Sequence, residues 1–394
     1  MRSKNWPNAF APACAIISLL VSSPLAAQLK PAVALIDAGD AAQWQAWTRE
    51  AGWQVITGEA APNASIDTRV QTLAAAVETA IHSGGVDPAH VYIAGRGEAT
   101  AAVFYAISRV PDLWAAGVAI GGSPKAALDT NRIFTANFTL VPLLWLAGED
   151  VRPIVEKLTA AQLNVEWKPL AANSDPAAVL RRLLQHRRDP FPSAIDCETN
   201  SPTFGRCYWI QMTKFDAAER NDVLPSTRIP GSNGAALDLG GFSFKADDPG
   251  PGVLVSALAP KYEGSLKVGD RLLAMNGKPL ADARGYLEML GKVIEEKPAT
   301  VTVLRGKDRI RVETRITLPL RENGATARVE AQFLPAEREI QIVSRAVTEL
   351  RVTVAPEWVP SVLLWNGLTL ENLKEPGCWV LSVEKELLRA TKCP

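Results

Sequence analysis

Val91-Tyr92-Ile93-Ala94-Gly95-Arg96-Gly97-Glu98-Ala99-Thr100 is the stretch that decides how the first half of this chain is built. Its opening residues are β-branched, aromatic and apolar, the chemistry of a buried strand. Two glycines interrupt the run, and an alanine-rich segment with helical spacing follows at once. The order is strand, sharp turn, helix. Gly97 stands at the tip, where glycine accepts a strained backbone without steric cost and offers no side chain to react.

Working outward, apolar runs at 32–37, 53–57, 116–120, 141–146 and 164–167 read as further strands. Between them lie amphipathic segments. The clearest is 67–82, with Val70, Leu73, Ala74, Val77 and Ile81 on one face. Buried runs alternating with such helices imply a doubly wound parallel sheet covered on both faces, over about residues 29–192.

The turn resembles the nucleophile elbow of the α/β-hydrolase fold, G-x-S-x-G. Other details are similar to the esterase-like members. Val86-Asp87-Pro88 precedes the elbow strand, Gly121-Gly122-Ser123 follows the next strand, and Leu146-Ala147-Gly148-Glu149-Asp150 matches the strand end that bears the acidic triad member. By that resemblance Asp150 is the acid. The nucleophile position holds Gly97, and the loop 169–176, where the histidine belongs, contains none. The chain has three histidines, His82, His90 and His186, each reading as a helix-end or surface residue. Asp37-Ala38-Gly39-Asp40 stands where a His-Gly run often helps form the oxyanion hole, and its carboxylates would repel a developing oxyanion. The degenerate positions Gly97 and Asp150 therefore imply no catalytic residue of the usual kind. A carboxylate near its ordinary pKa is a weak base without histidine. Glu98 and Ser123 are the remaining candidates for a substitute, with a helix-start carboxylate and an ordinary turn serine as the plainer readings.

From Asp238 the pattern changes to short alternating strands. Gly264-Ser265-Leu266-Lys267-Val268-Gly269-Asp270-Arg271-Leu272-Leu273-Ala274-Met275-Asn276-Gly277 follows the strand 252–258 and precedes a helix over about 283–296. Asn276-Gly277 suits a type I′ hairpin. This segment resembles a PDZ (α+β) domain, over 236–318. Such domains add an extended peptide to a sheet edge beside a helix and hold its terminal carboxylate in a loop of backbone amides. The resemblance implies that Leu239, Gly240, Gly241 and Phe242 form that loop and its apolar pocket. Phe244 would continue the groove, and Tyr286 and Leu290 would wall it, plain core packing being the other reading for these two. Gly-Gly in mid-loop leaves free C-termini and internal segments both open as ligands.

Around this unit, 206–212, 327–333, 339–344, 350–354 and 358–367 read as strands of a small antiparallel β domain. One β domain from 200–235 and 319–394, interrupted by the middle unit, explains a strand at 206–212 that lacks a nearby partner. Three consecutive domains are the alternative. Trp209, Trp358, Trp365 and Trp379 suit a core, or a carbohydrate or cell-wall contact surface.

The 394 residues carry 42 basic and 42 acidic side chains, so net charge is zero and no basic stripe suggests nucleic acid. Arg2, Lys4, the short apolar core 13–21 and Ser23-Pro24-Leu25-Ala26-Ala27 read as a cleavable secretory signal peptide over 1–27, with no membrane span expected in the mature chain. A periplasmic or secreted protein follows. Beyond Cys14, the cysteines are Cys197, Cys207, Cys378 and Cys393. In an exported chain they favour disulfides over metal. Three pairings exist, and the local one is favoured. No cofactor or metal is expected. The leading expectation is a pseudo-hydrolase that binds extended peptides or protein C-termini, with an esterase or peptidase using a non-standard site as the competing class.

Overall fold

The structure, a computed structural model, describes residues 29–394 apart from 62–63, 171–174, 219–222, 232–233, 246, 260–261, 319–323 and 385–386. The expected signal peptide and Cys14 lie outside the described residues. The first layer holds the strands β1 (Lys30–Leu35), β2 (Gln54–Thr57), β3 (Val86–Arg96), β4 (Ala116–Ile120), β5 (Leu143–Ala147) and β6 (Val165–Pro169). They form a six-stranded sheet in the order β2-β1-β3-β4-β5-β6, every pair parallel.

Period-two alternation sorts its side chains onto two faces. Ala32, Ala34, Val91, Ile93, Ala119 and Trp145 face one core with α2 (Ile66–His82), α3 (Ala99–Arg109) and α5 (Arg152–Ala160). Val33, Leu35, Tyr92, Ala94, Val118 and Leu146 face the other, under Trp44 of α1 (Ala41–Thr48) and Val179, Leu180 and Leu183 of α6 (Pro176–Leu183). The short α4 (Lys125–Asp129) lies beyond the end of β4. Both faces are dry, which is why the strands read as continuous apolar runs.

The chain then enters β7 (Ala194–Thr199), β8 (Arg206–Cys207) and β9 (Ile210–Phe215). Arg206 to Met212, expected as one strand, is instead a hairpin: Cys207 pairs with Ile210 across Tyr208-Trp209, and Tyr208 takes φ +53°. The turn drives Trp209 inward, where its Nε1 donates to the Pro192 carbonyl at 3.0 Å.

A seven-stranded sheet follows, of β10 (Ala236–Leu237), β11 (Phe242–Phe244), β12 (Val253–Leu258), β13 (Arg271–Met275), β14 (Lys278–Pro279), β15 (Lys297–Arg305) and β16 (Asp308–Thr317). Its order is β10-β16-β15-β13-β12-β11, with β14 paired to β13. Asn276 (φ +49°) and Gly277 (φ +76°) make the expected I′ turn. The helix α7 (Ala283–Gly291) is shorter than expected, because Gly291 closes it and the Val293 N–H bonds back to Leu290.

The remaining strands are β17 (Ala327–Leu334), β18 (Glu339–Arg345), β19 (Val347–Val354), β20 (Ser361–Trp365), β21 (Leu368–Leu373), β22 (Gly377–Glu384) and β23 (Leu387–Lys392). They join β7 in one five-stranded sheet, β21-β20-β18-β17-β7, and β8 and β9 in a second, β23-β22-β19-β9-β8. Strands on either side of the middle sheet thus pair with each other. The pairing is not wholly antiparallel as expected: β18 and β20 run parallel, because the intervening β19 belongs to the other sheet and the chain must cross back. Cys197–Cys207 bridges the two sheets, and Cys378–Cys393 ties β22 to the segment after β23. Trp209, Trp358 and Trp365 are buried between the sheets. Trp379 lies under Lys392, whose Nζ is 4.3 Å from the ring centroid. Three of the four rings thus fill the interior, and Trp379 is partly buried.

Both crossings into the middle sheet are tied at Glu198, which is fully buried in β7. Its carboxylate accepts from Ser226 Oγ at 2.6 Å and Thr227 Oγ1 at 2.8 Å on the inbound segment. It also accepts from Thr326 Oγ1 on the outbound segment and from Arg345 at 3.2 Å. A buried carboxylate is tolerable only with this degree of hydrogen bonding. Asn137 adds a cross-link, pairing with the Glu198 N–H and carbonyl at 2.8 Å each.

Candidate functional site

Ligands of open α/β sheets bind beyond the carboxyl ends of the strands, near the point where strand order reverses. Here that point lies between β1 and β3, and Gly97 stands directly past it. Gly97 has φ +53°, its N–H donates to the Ile120 carbonyl at 2.9 Å, and its carbonyl accepts from the Thr100 N–H at 3.1 Å. Gly95 lies so close to α3 that a Cβ there would come within 2.8 Å of Val103 Cγ2. Gly122 presses on the Gly97 carbonyl, leaving no room for a Cβ of its own. Strand, left-handed turn and helix thus close tightly here, as the sequence leads one to expect.

A Cβ added to Gly97 would meet nothing within 4 Å. It would enter a shallow, open, mainly apolar depression lined by Glu98, Ala101, Gly122, Ser123, Lys125 and Asp129. Glu98 is the exposed N-cap of α3 and makes no capping bond. The Ser123 Oγ accepts the Lys125 N–H at 3.2 Å, at the start of α4, as a turn serine does. Lys125 and Asp129 form an ion pair. Asp150 is exposed in the turn Glu149–Val151. Beside the crevice, burial raises the Asp40 carboxyl above its ordinary value despite the opposing charge of Arg96.

No imidazole reaches this edge. His90 begins the inner part of β3, where its Nδ1 lies 2.7 Å from Asp87 Oδ2. Seven residues of strand separate it from Gly97, about 23 Å at ~3.3 Å per residue. His186 lines a cavity at the amino ends of β4 and β5, with Ala116 and Leu143. Burial, reinforced by Arg182, pushes its pKa below the usual value. His82 closes α2, which feeds the amino end of β3. All three histidines therefore lie toward the amino ends of the strands, away from Gly97.

The second candidate site lies in the middle sheet. β11 pairs with β12 on one side and is the last strand in the sheet order, so its other side is an edge. The ring of Phe244 meets Tyr286 of α7 edge-on, centroids 5.7 Å apart, and Phe242 lies 6.4 Å from Phe244. Phe242 and Phe244 are half-buried. Leu239, Tyr286 and Leu290 are only 4%, 3% and 4% exposed, so they form the floor beneath the edge and not an open wall. Burial pushes the Tyr286 hydroxyl up to about 12. Leu287, on the outer flank of α7, is 53% exposed. Gly240 and Gly241 are exposed at the amino end of β11, Gly240 with φ +75°.

Behind this loop stands a cluster that sequence reasoning missed. Tyr262 Oη donates to the Leu239 carbonyl and accepts the Leu266 N–H at 3.0 Å. Asp270, 1% exposed, receives Arg305 Nε at 2.9 Å, Arg305 Nη2 at 2.7 Å and the Lys267 N–H at 2.8 Å. Arg305 Nη2 also donates to the Ser265 carbonyl at 2.6 Å. Burial would raise the Asp270 carboxyl, but Arg305 and Lys267 outweigh it and hold it below the ordinary range. The only sequence signal was the Gly269-Asp270 step. Nothing marked Tyr262.

Among the described residues no helix is long and apolar enough to cross a membrane, and no group of three or more His, Cys, Asp or Glu side chains could hold a metal ion. No family model matches the chain, and no curated protein matches it. Among solved structures it is similar to an HtrA-type protease with a decapeptide, at 19% identity and TM-score 0.19 over 23% of this chain and 31% of that one. It is similar to an esterase from the bacterial hormone-sensitive lipase family at 15% identity and TM-score 0.29, covering 40% of this chain and 72% of that one. Esterase PE8 gives 13% identity and TM-score 0.29 over 41% and 95%. The chain spans about a third of the first of these structures.

Proposed function

We infer that this is an exported binding protein. A PDZ-like unit, 236–318, captures an extended peptide or a protein C-terminus, and it is inserted in a β domain formed by 200–235 and 319–394. The first domain, 29–192, is a hydrolase-like scaffold without a nucleophile. The observation that carries the reading is the open edge of β11, flanked by α7 and ended by the glycine loop 238–241. A peptide added there gains backbone hydrogen bonds from the edge and side-chain contact with Phe242 and Phe244. Two disulfides, one buried between sheets, are compatible with an extracytoplasmic compartment.

The test is fluorescence titration of the full chain with labelled decapeptides ending in valine, leucine or phenylalanine. Saturable binding is expected, and it is expected to vanish in Gly241→Trp, which projects an indole where a Cβ already lies 2.8 Å from Ala259 Cβ. No binding by the wild type at millimolar peptide would sink the reading.

A second reading, an esterase or peptidase with a non-standard site, is kept by one observation: the depression at Gly97 is open and not filled by a neighbouring side chain. Glu98, Ser123 and Asp150 are its candidates. Turnover of p-nitrophenyl esters, or labelling by a serine-reactive phosphonate, abolished by one substitution among them would favour it. Without a histidine on that edge, neither is expected.

A further inference from the structure

Two helices, α1 and α6, cover one face of the parallel sheet, where three cover the other. α6 packs over β4 and beside α1, so its flank and not its centre meets β5. A trough is left between that flank and the edge strand β6. Its outer part, 370 Å³, is floored by Leu144 and Leu146 of β5 and by Val179 of α6. Its inner part, 210 Å³, is the cavity that His186 lines, and Leu144 and Arg182 border both parts. The trough shares no residue with the depression at Gly97.

Floor and rim differ in chemistry. The floor is aliphatic, whereas Lys168, Arg181 and Arg182 line the outer part against one carboxylate, Asp175. Arg182 of α6 and Glu166 of β6 reach across the trough from its two sides. Both oxygens of Glu166 are held there, Oε2 by Arg182 Nε at 3.1 Å and Nη2 at 2.6 Å, Oε1 by Lys168 Nζ at 3.0 Å. That carboxylate is therefore covered and does not set the charge of the rim. Arg181 Nη2 lies 3.3 Å from Asp175 Oδ2. The side chains of these pairs are between 39% and 67% exposed. Exposed pairs contribute little, so Lys168 and Arg181 can turn to an incoming anion.

An aliphatic floor under a cationic rim fits a ligand with an aliphatic body and an anionic end. Its length is set by β5: the trough follows the chain from Pro142 to Leu146, about 13 Å at ~3.3 Å per residue. An extended chain of about ten carbons fills that span, since each bond advances it by somewhat less than its ~1.5 Å length.

We propose that the trough between α6 and the strands β5 and β6 binds a single-chain aliphatic carboxylate, its chain laid along β5 and its carboxylate at Lys168 and Arg181. This site belongs to the first domain and is independent of the peptide-binding reading.

The experiment is isothermal titration calorimetry of the full chain with monomeric octanoate, decanoate and dodecanoate, and with decyltrimethylammonium. One carboxylate per chain is expected. Affinity should rise about fourfold with each methylene from octanoate to decanoate, and less beyond, where the chain outgrows the trough. The ammonium is expected not to bind. Lys168→Gln combined with Arg181→Gln should weaken decanoate by about tenfold or more and leave the thermal midpoint in place, because exposed pairs add little stability. Ala178→Trp, at an exposed helix position on the trough, should remove binding without unfolding the chain. Decapeptide binding is expected to be unchanged in both variants, so this inference and the peptide-binding reading fail separately. No saturable uptake of any carboxylate, no dependence on chain length, or equal uptake of the ammonium would overturn the proposal. Decanoate binding that survives both variants would place the ligand elsewhere and overturn it as well. Flotation with phosphatidylglycerol vesicles, without decanoate binding, would assign this face to a membrane surface instead.

Discussion

Gly97 and Gly240 turn the chain through the same left-handed region, with φ +53° and +75°, but their surroundings differ. A Cβ on Gly97 would meet nothing within 4 Å, whereas one on Gly240 would meet the Tyr262 ring at 2.5 Å. At the elbow, glycine supplies backbone freedom alone, and the space a side chain would fill stands open. At the loop it supplies freedom and room for a buttress. At Gly97 the turn opens onto a depression that no neighbouring side chain fills. The loop is a turn with a network behind it, from Asp270 through Arg305, Ser265, Leu266 and Tyr262 to Leu239. The difference teaches that the same left-handed turn can stand alone or be braced by distant side chains.

The comparison predicts unequal costs of adding one methyl group. Gly122→Ala drives a Cβ into the Gly97 carbonyl at a positive φ. It is expected to destabilise the first domain by ~3 kcal/mol or more, from overpacking and left-handed strain together, read by urea unfolding. Gly240→Ala should weaken peptide binding on the order of tenfold, because overpacking of ~1–3 kcal/mol must be relieved by moving the loop or the Tyr262 ring. Binding titrations and the thermal midpoint check it.

Gly97→Ala should cost only the left-handed strain, ~1–2 kcal/mol, and would contradict the contrast if it matched Gly122→Ala. Gly97→Ser is the sharper variant, since the serine has room and still lacks a base. Ester hydrolysis by the purified variant is expected to stay at the buffer rate, because an isolated triad member without its histidine contributes little. The smallest effect concerns acid. The Asp270 carboxyl is held below its ordinary value, so its contribution to stability is full above the unfolded pKa of ~3.9 and is lost as pH falls through the lower, folded value. Asp270→Asn is expected to flatten the fall in the thermal midpoint below about pH 4.

Much of the first layer could be read directly from the chain. Its six strands are buried on both faces and so appear as unbroken apolar runs, and the distance of every histidine from Gly97 follows once those runs are ordered. The middle unit announced itself through Gly269-Asp270 and Asn276-Gly277, positions where backbone geometry restricts the residue. What remained hidden depends on contacts between distant segments. Tyr262 meets Leu239 and Gly240 from 23 and 22 positions away, at no helical or strand period. Glu198 gathers Ser226, Thr227, Thr326 and Arg345 from across the domain. The strands 368–373, 377–384 and 387–392 escaped notice because their alternation is diluted by exposed polar and apolar residues on both faces. The hairpin at Tyr208 escaped because its turn lacks glycine, asparagine or proline.

Amide hydrogen exchange of the full chain, with and without a saturating decapeptide free acid, places the two turns in direct competition. Slower exchange at 240–244, on the loop and the β11 edge, with no change around 97–101 and 121–126, is the predicted result. Protection gained at the elbow, with the β11 edge unaffected, would contradict the account.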